Sequence, residues 1–403
     1  MINTYGKIKR IDGNEFKYIS EVLATEFKSS SGATYMRRLE QSFASKFGSE
    51  YAISFVNGTA TMHASLEAMG IGPGDEVIVP PLTMSATTFA VLQSNATPVF
   101  ADVKKDTFQI DVESIRKVIT KNTKAIITVA LYGLSPDMDP IMKLAKEYGI
   151  MVIEDNAECF LGKYKGKFAG TIGNCSSFSF QSSKHLTSGE GGIILTNDGV
   201  LAERIRRVQS LGYAGVGANK AKINKKDIQN PDYSRHVSMG WNYRMPELCC
   251  AVALAQTERM DELVLQRIKV ANIFNEATYD FHDWFIPQKV GVEYENSYWT
   301  WVCRNEHPSL KWIEIRDAFY ANGGDGVYSA WKLTYFEPMF TNMNLLGRER
   351  FISEENKDKY REGSCPVAEY LQTRLFQFKT NYWDLEKAYQ QAEILRKTLK
   401  QFS

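Results

Sequence analysis

Between about residues 50 and 200 the chain alternates short apolar runs with helix-like stretches, and no other feature restricts its fold as strongly. Residues 76–80, 98–102, 125–132, 151–154, 176–180 and 192–196 read as strands. Residues 59–69, 86–94, 111–119 and 139–148 read as helices set between them. Strands that are apolar at nearly every position must be buried on both faces, as in a parallel sheet. Helices of about 10–15 residues between consecutive strands supply both the crossovers and the cover. The pattern therefore predicts an α/β fold of three layers, with a mostly parallel central sheet. In such sheets ligands sit beyond the carboxyl ends of the strands. Asp155 and the residues after Pro80 fall at such ends, and Lys184 follows one closely.

The rest of the chain breaks this rhythm. Residues 213–236 hold Gly215, Gly217, Pro231 and the lysines at 220, 222, 225 and 226. They read as a solvated connection, or as a cover over an active site. Residues 246–275 read as one long helix bridging two domains. The expected division gives a large cofactor-binding domain over 1–255 and a smaller C-terminal α/β domain over 256–403, closed by a helix at 385–399.

Composition removes several function classes. A net charge of +1 over 403 residues favours neither nucleic acid nor a membrane surface. No apolar run approaches the roughly 18 residues a membrane span needs, and the first residues lack the apolar core of a signal peptide. The six cysteines include no Cys-x-x-Cys pair. They read as reduced thiols packed as small hydrophobes, consistent with a cytoplasmic protein. The five histidines show no metal-ligand spacing, so no metal site is expected.

Three segments carry candidate chemistry. In Ser179-Phe180-Gln181-Ser182-Ser183-Lys184-His185, a lysine stands in a loop of small residues before Gly189-Glu190-Gly191-Gly192. A lysine can attack an aldehyde as the neutral amine, which partial burial and a nearby cation favour. His185 beside it reads as a packing or surface group. Upstream, an apolar strand runs into Glu154-Asp155-Asn156-Ala157-Glu158. An imine-forming lysine and an acid able to hold a pyridinium nitrogen are the protein groups that pyridoxal phosphate most needs. Asp155 alone would also serve as a cap or an ion-pair partner. Third, Asn57-Gly58-Thr59-Ala60 joins a strand-like run to a helix. A helix start with glycine can cradle phosphate, and it can equally be an ordinary N-cap.

Taken together, these segments resemble the DegT-like sugar aminotransferases, a branch of the fold type I pyridoxal-phosphate enzymes. Further anchors are Gly72-Pro73-Gly74-Asp75-Glu76-Val77-Ile78-Val79-Pro80 and Gly240-Trp241-Asn242-Tyr243-Arg244-Met245. The resemblance implies the fold type I transferase architecture and pyridoxal 5'-phosphate as cofactor. It implies Lys184 as the Schiff-base and proton-carrying residue, and Asp155 at the ring nitrogen. It places Thr59, Ala60 and Ser179 on the phosphate, with Glu158 near the ring. It implies a homodimer with shared active sites, in which Asn242 reaches the partner's phosphate. Arg244, Tyr328 and Trp331 are the implied substrate contacts. The aromatic rings at 299, 301, 328, 331 and 335 could stack a nucleotide base or form core.

Two positions depart from the family pattern. Met84 stands where an aromatic ring usually covers the cofactor, and Glu158 stands where glutamine or histidine is frequent. A small branch of the family carries histidine in place of the lysine and works as a sugar dehydratase. The catalytic position lies five before the first glycine of Gly189-Glu190-Gly191-Gly192, which is Lys184 and not His185. The implied reaction moves an amino group, from glutamate, onto a keto-sugar such as a nucleotide-linked 4-keto-6-deoxyhexose, or onto a related keto-polyol. The alternatives are a dehydratase or lyase on the same scaffold and a non-catalytic cofactor-binding regulator.

Overall fold

Successive buried side chains of the central strands enter two different cores. On β4 (Thr123–Val129), Ala125 and Ile127 pack into one core and Ile126 into another. On β5 (Met151–Asp155), Ile153 and Val152 divide the same way. A sheet with two apolar faces needs a helical layer on each side, and the computed structural model, which describes residues 7–27 and 34–403, shows both layers. The other strands are β1 (Tyr51–Phe55), β2 (Glu76–Val79), β3 (Thr97–Phe100), β6 (Lys163–Tyr164), β7 (Lys167–Phe168), β8 (Cys175–Ser179) and β9 (Gly192–Thr196). The seven-stranded sheet runs β1-β9-β8-β5-β4-β2-β3. Its pairings are parallel except those of β9, which is antiparallel to both β1 and β8. The α/β reading and its mostly parallel sheet therefore hold.

The expected helices form at Gly58–Ala68, Ala86–Gln93, Val112–Val118 and Met138–Tyr148. The first is capped by Asn57, whose side chain accepts from the Ala60 N–H at 2.8 Å. The last ends on Gly149 in the left-handed conformation. Two helices that the periodicity did not mark, Glu15–Ala24 and Thr34–Phe47, pack on helix Glu247–Glu258. Their core joins Phe43 and Phe47 to Phe178, Phe180, Ile193 and Leu195 of the sheet.

Where one long helix is expected over 246–275, the chain forms two, Glu247–Glu258 and Met260–Ala277. The break is at Arg259, whose side chain turns back to the carbonyls of Lys9 and Arg10. Beyond it lies a second, antiparallel sheet of β10 (Phe285–Pro287), β12 (Thr300–Asn305), β14 (Leu375–Lys379) and β13 (Val327–Ser329), in that order. Helix Leu385–Leu399 covers it, at the position the sequence predicts. A third small sheet, β11 (Tyr294–Glu295) with β6 and β7, was not expected. All six cysteines are free thiols, and five are buried.

Candidate active site

The strand order brings the three candidate segments together. β8 neighbours β5, so Asp155 at the end of β5 lies opposite Ser177 in register. β9 returns antiparallel to β8, and Gly192 at its start is paired with both Ser179 and Phe55. The helix start at Gly58 is thereby seated on the carboxyl end of β8. Two glycines permit that approach. A Cβ on Gly58 would lie 3.0 Å from the Cβ of Ser179, and one on Gly192 would lie 2.6 Å from the carbonyl group of Asn57. Of Gly189, Gly191 and Gly192, only Gly189 has a left-handed backbone. The need at Gly192 is for space, not for a turn.

Helix N-termini present N–H groups that have no partner within the helix. Here the Ala60 N–H is taken by Asn57. The groups left to meet an anion are the first-turn N–H groups of Gly58 and Thr59, the Thr59 hydroxyl, and the hydroxyl of Ser179. Ser179 is buried, with its oxygen accepting from the Gln181 N–H at 3.3 Å. The chemistry of this set suits a phosphate.

Lys184 lies in a loop closed at its base by a bridge between Gln181 and Gly189 and by the Ser188 N–H on the Phe180 carbonyl. Its side chain is only 13% exposed. Nζ donates to Glu158 Oε1 at 3.3 Å and sits 4.4 Å from the centroid of the Trp299 ring. Trp299 stacks on Trp331, centroids 5.9 Å apart. Trp331 therefore reaches the lysine through a second indole. Trp299, read from sequence as a base-stacking or core ring, forms part of the wall around Lys184.

The two acids are buried and differently held. Asp155 accepts from the Thr87 hydroxyl at 2.9 Å and from the Ala157 N–H at 3.1 Å. Burial pushes its pKa up, while these two donors and the Lys184 charge pull it down. A buried carboxyl in that state is completed by a cation, which a protonated ring nitrogen would supply. Glu158 accepts from the Tyr132 N–H at 3.0 Å, and burial raises its pKa against the opposing Lys184 charge. Its neighbour Glu154 receives N–H groups from Gly170, Ile172 and Gly173, which makes it a structural anchor. His185 is fully buried, with Nε2 2.9 Å from the Ser297 carbonyl oxygen. Burial and then the Arg267 charge hold its pKa well below the usual histidine value, so it packs as a neutral ring.

The remaining predicted residues lie further out. Met84 is 50% exposed, directly before helix Ala86–Gln93. Asn242 is exposed, with its backbone bridged to Ser210. Arg244 lines a separate cavity of about 1040 Å³ with Tyr35, Arg38, Tyr213 and Glu247. Neither Lys184 nor Asp155 lines that cavity. Tyr328 is 59% exposed on β13, in register with Gln377. The sequence reading missed Thr87. Its only signal is a hydroxyl three residues after Met84, in the first turn of a helix whose start abuts the site.

Comparisons with known proteins agree with this geometry. The model of the DegT/DnrJ/EryC1/StrS aminotransferase family matches residues 9–312. The chain is 37% identical to the GDP-perosamine synthase of Escherichia coli O157:H7 over 320 residues, 77% of this chain and 83% of that protein. It is 38% identical to the GDP-perosamine synthase of Caulobacter vibrioides over 295 residues, 73% of this chain and 75% of that protein. The crystal structure of an aminotransferase from Psychrobacter cryohalolentis superposes with a TM-score of 0.84 at 27% identity, covering 99% of this chain and 98% of the other. The chain belongs to the DegT/DnrJ/EryC1/StrS aminotransferase family and is a sugar aminotransferase that uses pyridoxal phosphate.

Proposed function

We propose that this protein moves an amino group from glutamate to the keto carbon of a nucleotide-linked 4-keto-6-deoxyhexose, as a cytoplasmic homodimer with shared active sites. The observation that carries the reading is the placement of Lys184 Nζ against Glu158 and Trp299, with Asp155 buried at the neighbouring strand end. The curated relatives named GDP-perosamine synthase favour a GDP-linked sugar among the candidates. A keto-inositol or another keto-polyol is the wider class.

The cofactor supplies an aldehyde and an electron-accepting ring when bound. Everything else falls to residues of this chain. The N–H groups of Gly58 and Thr59 and the hydroxyls of Thr59 and Ser179 hold the phosphate. Asp155, oriented by Thr87 and Ala157, keeps a proton on the ring nitrogen. Lys184 would anchor the aldehyde group through Nζ, and the same amine, once free, would accept a proton from the amino donor and, in the reverse half-reaction, deliver one to the sugar. One group can serve both roles because Nζ is held in place by Glu158 and Trp299. Met84 would offer a polarizable thioether to the face of the ring, and Glu158 would stand near the same ring. Arg244, Tyr328 and Trp331 contact the sugar nucleotide, and Asn242 meets the partner's phosphate.

The test uses purified protein, pyridoxal phosphate, glutamate and a panel of nucleotide-linked keto-sugars. An amino-sugar formed with 2-oxoglutarate is the expected product, and Lys184→Ala is expected to lose turnover while still binding the cofactor. A deoxy-sugar with released ammonia would instead establish the dehydratase. Full activity in Lys184→Ala would overturn the assignment of the lysine.

A further inference from the structure

Three successive carbonyls at the base of Lys184 are taken by two guanidinium groups and an indole. Arg10 Nη1 donates to the Ser182 oxygen at 2.7 Å, and Arg10 Nη2 to the Lys184 oxygen at 2.7 Å. Arg267 Nη2 donates to the Ser183 oxygen at 3.0 Å and to the same Lys184 oxygen at 2.9 Å. Trp299 Nε1 adds a third donor, on the Ser183 oxygen at 3.0 Å. The Lys184 carbonyl is thus shared by two cationic donors, 174 and 83 residues away on either side of it in the chain.

This arrangement is costly, so it calls for a reason. Arg267 is fully buried, and burial followed by the Arg10 charge pushes its pKa down to about 9. Burial lowers Arg10 as well. Among the described residues neither guanidinium pairs with a carboxylate. Two like charges are held together, Arg267 fully buried and Arg10 half-buried, with only neutral carbonyl and hydroxyl acceptors. Burial of unpaired charge is among the most unfavourable placements in a fold. A loop needing only to be tied down could use neutral amides.

The clamp also spans the molecule. Arg267 Nη1 reaches the Trp299 oxygen at 2.8 Å and Thr380 Oγ1 at 3.3 Å, beside the ends of the central strands β12 and β14 of the second sheet. Arg10 stands in the amino-terminal segment, where the Ile8 N–H donates to the Trp383 oxygen. Both guanidiniums lie within 6 Å of the Trp383 ring, at 5.7 and 5.9 Å. The Lys184 peptide is therefore referenced to helix Met260–Ala277, to the second sheet and to the amino-terminal segment together.

We infer that Arg10 and Arg267 are positioning residues for Lys184, fixing the peptide that carries the side chain so that Nζ stays between Glu158 and Trp299. Arginine suits this task because its planar fork holds two acceptors at set angles, whereas lysine offers only a point charge. The inference rests on Lys184 being the Schiff-base residue, and its test separates the two ideas.

Apoprotein of the wild type, Arg10→Met, Arg10→Lys and Arg267→Met is mixed with pyridoxal phosphate and quenched with borohydride at timed intervals. Peptide mass spectrometry then measures the label at Lys184 against all other lysines, and thermal melts report folding. In Arg10→Met the transition is retained, and labelling at Lys184 slows by about ten-fold, within what a displacement of about 1 Å costs a reacting pair. Arg10→Lys recovers part of the rate. In the folded fraction of Arg267→Met the rate falls at least as far. Labelling of Lys184 within about two-fold of wild type in both methionine variants, with only the melting temperature lowered, overturns the clamp and leaves two structural arginines. Absence of label from Lys184 in the wild type overturns the lysine assignment and the clamp with it.

Discussion

Asp155 and Glu158 are both buried carboxyls three residues apart, yet their partners set them different tasks. Asp155 keeps two fixed neutral donors, Thr87 and Ala157, and one remote cation. Glu158 holds Lys184 directly. Replacing Asp155 with Asn preserves shape and removes the charge that we propose holds the ring proton. Turnover is expected to fall by about 10²-fold, the scale of losing a preorganised electrostatic contact. The pH behaviour of the apoprotein follows from the raised pKa of Asp155. Between the ordinary aspartate value of about 4 and that raised value, the native state binds more protons than the unfolded chain. This contribution to stability is complete below the unfolded value and is lost as pH rises through the native one. Thermal melts of apoprotein at pH 5 and pH 8 are therefore expected to show a smaller decline in Asp155→Asn than in the wild type. Lys184 and Asp155 were legible in the sequence as candidates because each lies at a recognisable boundary. Thr87 was not, since one hydroxyl in a helix's first turn carries no distinguishing pattern.

At the scale of elements, the proposed phosphate cradle depends on how closely β9 approaches the start of helix Gly58–Ala68. Gly192 makes that approach possible, because an added Cβ would fall 2.6 Å from Asn57 backbone atoms that have no room to yield. Gly192→Ala is expected to cost about 1–3 kcal/mol of stability, as overpacking does, and to weaken cofactor binding through displaced donors at Gly58 and Thr59. Denaturant melts and cofactor titration would check the two effects separately; unchanged cofactor affinity would remove the phosphate role from this helix end. The strands and helices over 50–200 were legible because strands buried on both faces leave short, nearly continuous apolar runs between helical stretches. The break at Arg259 was not legible. Helix propensity continues through it, and only the docking of Arg259 on the carbonyls of residues 9 and 10 ends the first helix.

For the whole molecule, the site as described in one chain leaves Asn242 exposed and Arg244 on another cavity. A homodimer that shares its sites gives both residues a place. The expectation is tested by mixing Lys184→Ala with Asn242→Ala chains, each inactive alone. Hybrid dimers hold one site with both groups intact, so random exchange should restore about a quarter of wild-type activity. No recovery after verified exchange would remove Asn242 from a shared site. The division at residues 255 and 256 remains our proposal for the domain boundary, within a helix that continues to Glu258. Sequence alone determined the α/β class and marked Lys184 and Asp155 as the candidate lysine and acid, because periodicity and local motifs are properties of neighbouring residues. Tertiary structure alone decided that Thr87 orients Asp155, that Trp299 walls Lys184, and that Arg10 and Arg267 converge on one carbonyl from 174 and 83 residues away. Contacts at such separations are made by packing, and no local stretch of chain records them.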